Sequence, residues 1–432
     1  MRRISVVLVG LVMSMPLWSQ TVRERIEKDR SLVGCNLHIY ELPDRVSETK
    51  APKGYKPFYV SHFSRHGSRY MSQEKEYRCV GVLEDMSRNG LLTEAGEALY
   101  QDIRRVADAH RGMVGFLTKY GAGEIRGIAE RLYSRCPQIF SDRKRKEVLA
   151  VSSTSVRCNQ SMANFCLELQ SRSCNLNFEL QTGGRTDTTV VKVAKGSGIR
   201  PGKSNGKAEV DSLTRISMDV QGMLSRFFLD AEAAVRMMLG QSPAKFFFNV
   251  LRVGSIVQCM DEDLPDVYAH FTNDELYGFW IANNAYTYNT CGASHETNGT
   301  YRRRGYYALK DLVAKADEAI SDGSSKAADV RFTHDTHLLP LLQFMGLEGI
   351  EKVCRVGKET EAGWYAFDEI CMGTNLQVVF YKNRSGDILV KFLHNERERH
   401  LPAVEPFSGP YYRWDTVRNH FLDQMSAYVK NQ

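Results

Sequence analysis

The sequence predicts an α/β fold: a mixed, mainly parallel sheet flanked by helices, with an inserted, mostly helical cap domain. Three observations predict it. Three separate segments each run from a strand through a polar loop into a helix. Two apolar runs near the C-terminus read as a hairpin. Residues 175–310 carry helical rather than strand periodicity.

The first segment, Phe58-Tyr59-Val60-Ser61-His62-Phe63, is rich in aromatic and β-branched residues and reads as a strand. It ends in Ser64-Arg65-His66-Gly67-Ser68-Arg69, one imidazole between two guanidiniums, with a glycine that lets the backbone turn. Two arginines at a strand end are costly unless they bind an anion. Nearby positive charge disfavours imidazolium, so His66 is expected neutral, and a neutral imidazole beside a bound phosphate can act as a nucleophile. Taken alone, the run also fits a solvated basic loop.

The second segment, Val148-Leu149-Ala150-Val151, reads as a short buried strand. It leads into Ser152-Ser153-Thr154-Ser155, a row of N-cap candidates, and Arg157 follows in the first helical turn. Met162, Phe165, Cys166 and Leu169 then recur at helical spacing. A helix N-terminus attracts anions through its free N–H groups and dipole, whereas a basic residue there is unfavourable. An anionic ligand explains Arg157; a surface carboxylate partner explains it equally well.

The third segment is Val330-Arg331-Phe332-Thr333-His334-Asp335-Thr336-His337, followed by an apolar helical face of Leu338, Leu339, Leu341, Leu342 and Met345 and closed by Gly346. Asp335 is a candidate general acid and His334 a candidate second phosphate contact. In isolation the pair also reads as an N-cap with a neighbour.

In an open α/β sheet, ligands bind outside the carboxyl ends of the strands. One pocket would then gather Arg65, His66, Arg69, Arg157, His334 and Asp335: three permanent positive charges, two imidazoles and one carboxyl group. That set suits phosphoryl transfer with no metal and no cofactor, because the arginines supply the positive charge.

With these residues in this order, the chain resembles the histidine acid phosphatases, the larger-enzyme branch of the histidine phosphatase superfamily, which includes phytases and multiple inositol polyphosphate phosphatases. Leu92-Thr93-Glu94-Ala95-Gly96 is similar to the family's Leu-Thr-x-x-Gly, and Phe392-Leu393-His394-Asn395-Glu396 to the end of its last strand in the inositol polyphosphatases. The resemblance spans about residues 55 to 400. It implies that His66 is the nucleophile that becomes phosphohistidine. Arg65, Arg69, Arg157 and His334 would clamp the phosphoryl group, and Asp335 would protonate the leaving oxygen. Three departures stand out. Tyr70-Met71 follows the second arginine, where the family usually has proline. His334-Asp335-Thr336 stands where the inositol polyphosphatases often carry His-Ala-Glu. His337 stands where phytase-like members often have asparagine.

Residues 1–20 begin with Arg2 and Arg3, continue through an apolar run from Ile4 to Met13 and then Pro16, and read as a secretory signal peptide cleaved near Ser19 or Gln20. The run is short for a bilayer span. A secreted or periplasmic protein without stable membrane insertion is expected. Removing this segment takes away two arginines and no acids, which lowers the formal net charge from +6 to +4. That charge suits an anionic small-molecule substrate and does not mark a nucleic-acid binder. Ten cysteines permit disulfides in an exported chain, but the pairing is not deducible, and the absence of Cys-x-x-Cys argues against a zinc or redox site.

The mature length exceeds one typical core. The expected division is a discontinuous phosphatase core, 21–174 and 311–432, around a cap insertion, 175–310. Leu376–Tyr381 and Asp387–Phe392 form the hairpin; Ile216–Phe228, Ala231–Met238 and Asp274–Ala285 read as cap helices. Trp280, Tyr286, Asn283 and Asn284 are assigned to packing. Thr188–Val193 reads as a strand before Gly202-Lys203-Ser204, a weak echo of a nucleotide-binding loop: Ser197 stands where the glycine should be, and Pro201 lacks the needed N–H. Lys192, Lys195, Arg200, Lys203 and Lys207 form either a solvated charge run or a face toward a multiply phosphorylated substrate.

The function expected is an exported phosphomonoesterase working through covalent phosphohistidine on inositol polyphosphates such as phytate. A broad acid phosphatase acting on sugar phosphates is the alternative. A phosphomutase or a phosphoanion-binding protein of the same fold is the more distant one.

Overall fold

The computed structural model describes residues 21–42, 48–140, 145–182, 187–190, 206–297 and 299–430. One sheet of eight strands lies at its centre: β1 Lys56–Arg65, β2 Lys146–Ser152, β3 Leu176–Thr182, β4 Lys326–Thr333, β5 Asn375–Lys382, β6 Ile388–His394, β7 Arg397–Arg399 and β8 Tyr412–Arg413. The order is β3-β2-β4-β1-β5-β6-β7, with β8 on β6. β3, β2, β4 and β1 run parallel, and every pairing from β5 onward is antiparallel.

The sheet is covered on both faces, as parallel strands require. Alternation along each strand divides its side chains between two cores. Tyr59 and Phe63 of β1, and Leu376, Val378 and Phe380 of β5, join the core under the helices Tyr306–Ile320, Asp335–Met345 and Trp414–Lys430. Val60 of β1, Val330 and Phe332 of β4, and Val379 and Tyr381 of β5 join the opposite core. That core lies under Lys119–Arg135, through Ile125, Ile128 and Leu132, and under Val156–Arg172, through Met162, Phe165 and Leu169.

The strands expected at 58–63, 148–151 and 329–333 and the C-terminal hairpin are present. The Leu92–Gly96 run opens the helix Glu94–Ala109, where the Thr93 hydroxyl accepts from Gly96 N–H at 3.1 Å. Three readings need correction. β3 lies inside the stretch read as cap but pairs with β2, because its half-exposed edge position gives no continuous apolar run. Ile216–Phe228 is two helices, Gly206–Ser217 and Val220–Phe227, since Asp219 caps the second through Gly222 N–H at 3.0 Å. Asp187–Val190 is a single helical turn and not the start of a strand; Val191, Lys192 and Val193 lie outside the described residues. No disulfide is formed among the described cysteines.

Residues 1–20 and the residues Lys192, Lys195, Arg200 and Lys203 also lie outside the described residues. Lys207 is exposed and paired with Asp211. Among the described residues no helix is long and apolar enough to cross a membrane.

Candidate active site

Register decides which residues meet. Arg65 lies opposite Thr333 across β1 and β4, and Ser152 lies opposite Phe332 across β2 and β4. The three parallel strands therefore end at one level. The next backbone groups close over that edge: His66 N–H donates to Thr333 O at 3.1 Å and Ser153 N–H to Phe332 O at 3.0 Å.

His66 is 2% exposed. Its Nδ1 lies 2.9 Å from the Gly67 carbonyl oxygen, which can only accept; Nδ1 therefore carries the proton and Nε2 keeps a lone pair. Burial, then Arg157, Arg65, Arg69 and His334, hold the imidazole well below its ordinary pKa. The neutral imidazole expected from the sequence is what this environment enforces.

Arg65 is fully buried. Its Nη1 donates to Asn36 O at 2.5 Å and to Ile370 O at 2.8 Å, and its Nη2 lies 3.1 Å from Asp335 Oδ2. Arg69 donates to Tyr70 O at 2.8 Å, and burial followed by Arg157 pulls it down to about 10. The Nε atoms of Arg65, Arg69 and Arg157 have no partner among the described residues. Three crowded, underpaired guanidiniums make a strong anion site.

His334 lies 5.5 Å from His66, ring centre to ring centre and nearly edge-on. Arg157 Nη2 can only donate, so His334 Nδ1 accepts from it at 3.3 Å, and Nε2–H points to the hydroxyls of Ser153 (3.1 Å) and Ser155 (3.3 Å). Ser155 occupies the N-cap position of Val156–Arg172 without making a side-chain cap bond; its hydroxyl serves the histidine. Burial and the arginines lower His334 to about 3. Both ring nitrogens are engaged, so His334 reaches a phosphate only by exchanging one of these partners.

Asp335 opens the helix Asp335–Met345. Its Oδ1 accepts from Thr336 N–H at 2.7 Å, and its Oδ2 accepts from Asn36 Nδ2 at 2.8 Å. Burial alone would raise this carboxyl, but Arg65, then Asn36, His334 and Thr336 N–H, hold it well below the usual carboxylate range. In the unliganded site it is ionised. A bound phosphate dianion would counter the arginines and raise it.

Asn36, Arg69, Asp335 and Thr336 line a cavity of about 510 Å³. Lys75, Arg78, Lys245 and Arg252 line it too, together with Glu76; among the described residues none of the four cations makes a direct ion pair, and Lys245 and Arg252 lie over aromatic rings. Lys245 sits 4.3 Å over Phe248, and burial, then Arg252, lowers it to about 8. Arg252 donates to Asn283 at 2.7 Å. Trp280, Asn283 and Asn284 are buried as expected, but Tyr286 is 37% exposed and lines the cavity.

The six residues singled out at the three strand ends thus meet in one place. Four supporting groups carried no sequence signal. Asn36 lies far upstream in an irregular turn. Glu124 holds the motif loop by accepting Ser68 N–H at 2.6 Å and Ser68 Oγ at 2.9 Å. Ser161 accepts Gly67 N–H at 3.2 Å. Gly121 packs against the loop so closely that a Cβ on Gly67 would stand 2.5 Å from its carbonyl oxygen. His337 is buried and donates to Thr189 O at 2.6 Å, a packing role.

Solved structures share this architecture. A Bifidobacterium longum multiple inositol polyphosphate phosphatase in complex with inositol hexasulfate matches with a TM-score of 0.74 at 20% identity, over 89% of this chain and 96% of that one. This chain has the histidine acid phosphatase fold. The phytase from D. castellii matches with a TM-score of 0.68 at 14% identity, over 96% of this chain and 90% of that one. A Hafnia alvei phytase matches with a TM-score of 0.53 at 12% identity, over 87% and 98%. No protein-family model matches the chain, and no curated protein matches it.

Proposed function

We propose that the protein is a phosphomonoesterase that works through a phosphohistidine. The carrying observation is the neutral His66, with Nε2 unprotonated, enclosed by Arg65, Arg69 and Arg157 beside Asp335. His66 Nε2 attacks phosphorus, and a P–N bond forms as the ester P–O bond breaks. Asp335, protonated once phosphate is bound, gives its proton to the leaving oxygen. Water then attacks the phosphohistidine, the P–N bond breaks, and the water proton returns to Asp335. The guanidiniums hold the equatorial oxygens throughout.

The substrate class we favour is inositol polyphosphate. Lys75, Arg78, Lys245 and Arg252 surround the cavity beyond the three arginines, more positive charge than one phosphate needs. We read the helical stretch from Gly206 to Cys291 as a cap that supplies Lys245, Arg252 and Tyr286 to that wall. We also propose export, on the leader-like pattern of residues 1–20.

The test is phosphate release at acidic pH from inositol hexakisphosphate, sugar phosphates and 4-nitrophenyl phosphate, with acid-labile phosphoenzyme trapped in parallel. A strong preference for sugar monophosphates would favour the broad acid phosphatase; no release from any of them would end the phosphatase reading.

A further inference from the structure

We propose that Asn36 is a positioning residue for the leaving-group acid: it fixes one oxygen of Asp335 and leaves the other to carry the transferred proton. The inference rests on the phosphatase reading above and deepens it.

Asn36 closes a ring of three residues. Its backbone oxygen accepts from Arg65 Nη1 at 2.5 Å, its Nδ2 donates to Asp335 Oδ2 at 2.8 Å, and Arg65 Nη2 reaches the same Oδ2 at 3.1 Å. The amide orientation is chemically forced, because a flip would set its oxygen against a carboxylate. Oδ2 thus faces two donors and is the oxygen least able to hold a proton. Oδ1 receives only the Thr336 N–H, so the acidic proton resides there. Asn36 is 8% exposed and lines the cavity, while its Oδ1 is buried and has no partner among the described residues.

The backbone is arranged to deliver this side chain. Cys35, fully buried, takes φ 54° and ψ −117°, a conformation that costs a non-glycine residue energy. Neighbouring bonds hold it there: Asn283 Nδ2 to Val33 O at 2.9 Å, and Met372 N–H to His38 O at 2.8 Å. Strain maintained next to a cavity residue is the pattern of a functional site.

The charged and titratable groups that interact with Asp335 are Arg65, Arg69, Arg157, His334 and Cys158, and Asn36 adds a neutral donor. Removing that donor favours the protonated acid. In Asn36→Leu, which keeps the shape without the donor, the basic limb of the kcat–pH profile should move up by about one unit, and in Asn36→Asp by more. In single-turnover phosphorylation, inositol hexakisphosphate should slow about tenfold while 4-nitrophenyl phosphate, with its good leaving group, stays within about twofold. An unmoved basic limb, or an equal loss on both substrates, overturns the proposal. Asn36→Ser and Asn36→Ala read the same limb if the leucine variant does not fold. Such a result leaves the phosphatase reading intact, since that reading stands or falls on His66 and on phosphate release by the unaltered protein.

Discussion

His66 donates its Nδ1 proton to the Gly67 carbonyl oxygen at 2.9 Å, so a single backbone bond chooses which imidazole nitrogen is free. In the proposed mechanism that bond makes Nε2 the nucleophile. His66→Ala should abolish both turnover and phosphoenzyme trapping. Near-normal activity in this variant is incompatible with the mechanism.

Replacing Arg65, Arg69 or Arg157 with alanine should lower kcat on the order of a hundred-fold, measured on any good substrate. Lysine should rescue Arg65 least. It cannot donate to Asn36 O, Ile370 O and Asp335 from one planar group. Because the guanidiniums supply the charge, activity should survive EDTA; loss restored by Mg²⁺ or Zn²⁺ would point to metal chemistry instead.

Lys245 and Arg252 line the same cavity as Arg69 and Asp335, and among the described residues no hydrogen bond or ion pair joins either to the six-residue centre. Lys245→Ala or Arg252→Ala should raise KM for inositol hexakisphosphate about tenfold, leaving kcat and the KM for 4-nitrophenyl phosphate nearly unchanged. An equal effect on both substrates would remove the case for a polyphosphate wall.

The proposed mechanism requires Asp335 protonated while His66 stays neutral. Its carboxyl is depressed by Arg65 and Asn36, so the protonated fraction falls as pH rises, and only the bound dianion opposes this. The activity optimum should lie below neutrality, and Asp335→Asn should harm inositol phosphates far more than aryl phosphates in the phosphorylation step. A peak above pH 8 contradicts this assignment.

Acid should also destabilise the protein. Burial holds His62 and His394 near about 3 and His110 and His337 near about 4. Each folded pKa lies below the unfolded value of about 6.5, so the unfolded chain binds the proton first. Stability from these groups is complete above about pH 6.5 and falls on acidification, by up to roughly 1.4 kcal/mol per pH unit for each, against a typical total of about 5–15 kcal/mol. Thermal melts should show Tm dropping steadily from pH 7 to pH 4. A flat Tm over that range would mean these imidazoles are not buried and neutral.

The three strand ends were legible because each joins a strand signal, a polar loop and a helical apolar stripe within a few residues, and chemistry-bearing residues sit at the joins. Tyr286 was not: aromatic residues on a helix look alike in sequence whether they face a core or a cavity, and only the packing of Phe248 and Arg252 beside it separates the two. β3 was missed because an edge strand shows an incomplete pattern. Asn36 and Glu124 were missed because each acts across the fold on a partner that no local spacing reveals.

Gly67 and Gly121 meet backbone to backbone: a methyl on the first strikes the carbonyl of the second, and a methyl on the second strikes the carbonyl of Ser68. The short run that announces the nucleophile is therefore only part of its own signature. One further letter is written on a helix well downstream, and neither glycine can drift to alanine without displacing the loop that aims the imidazole. A pattern meant to recognise this site in other chains, or a redesign meant to preserve it, has to treat the two positions as a single character.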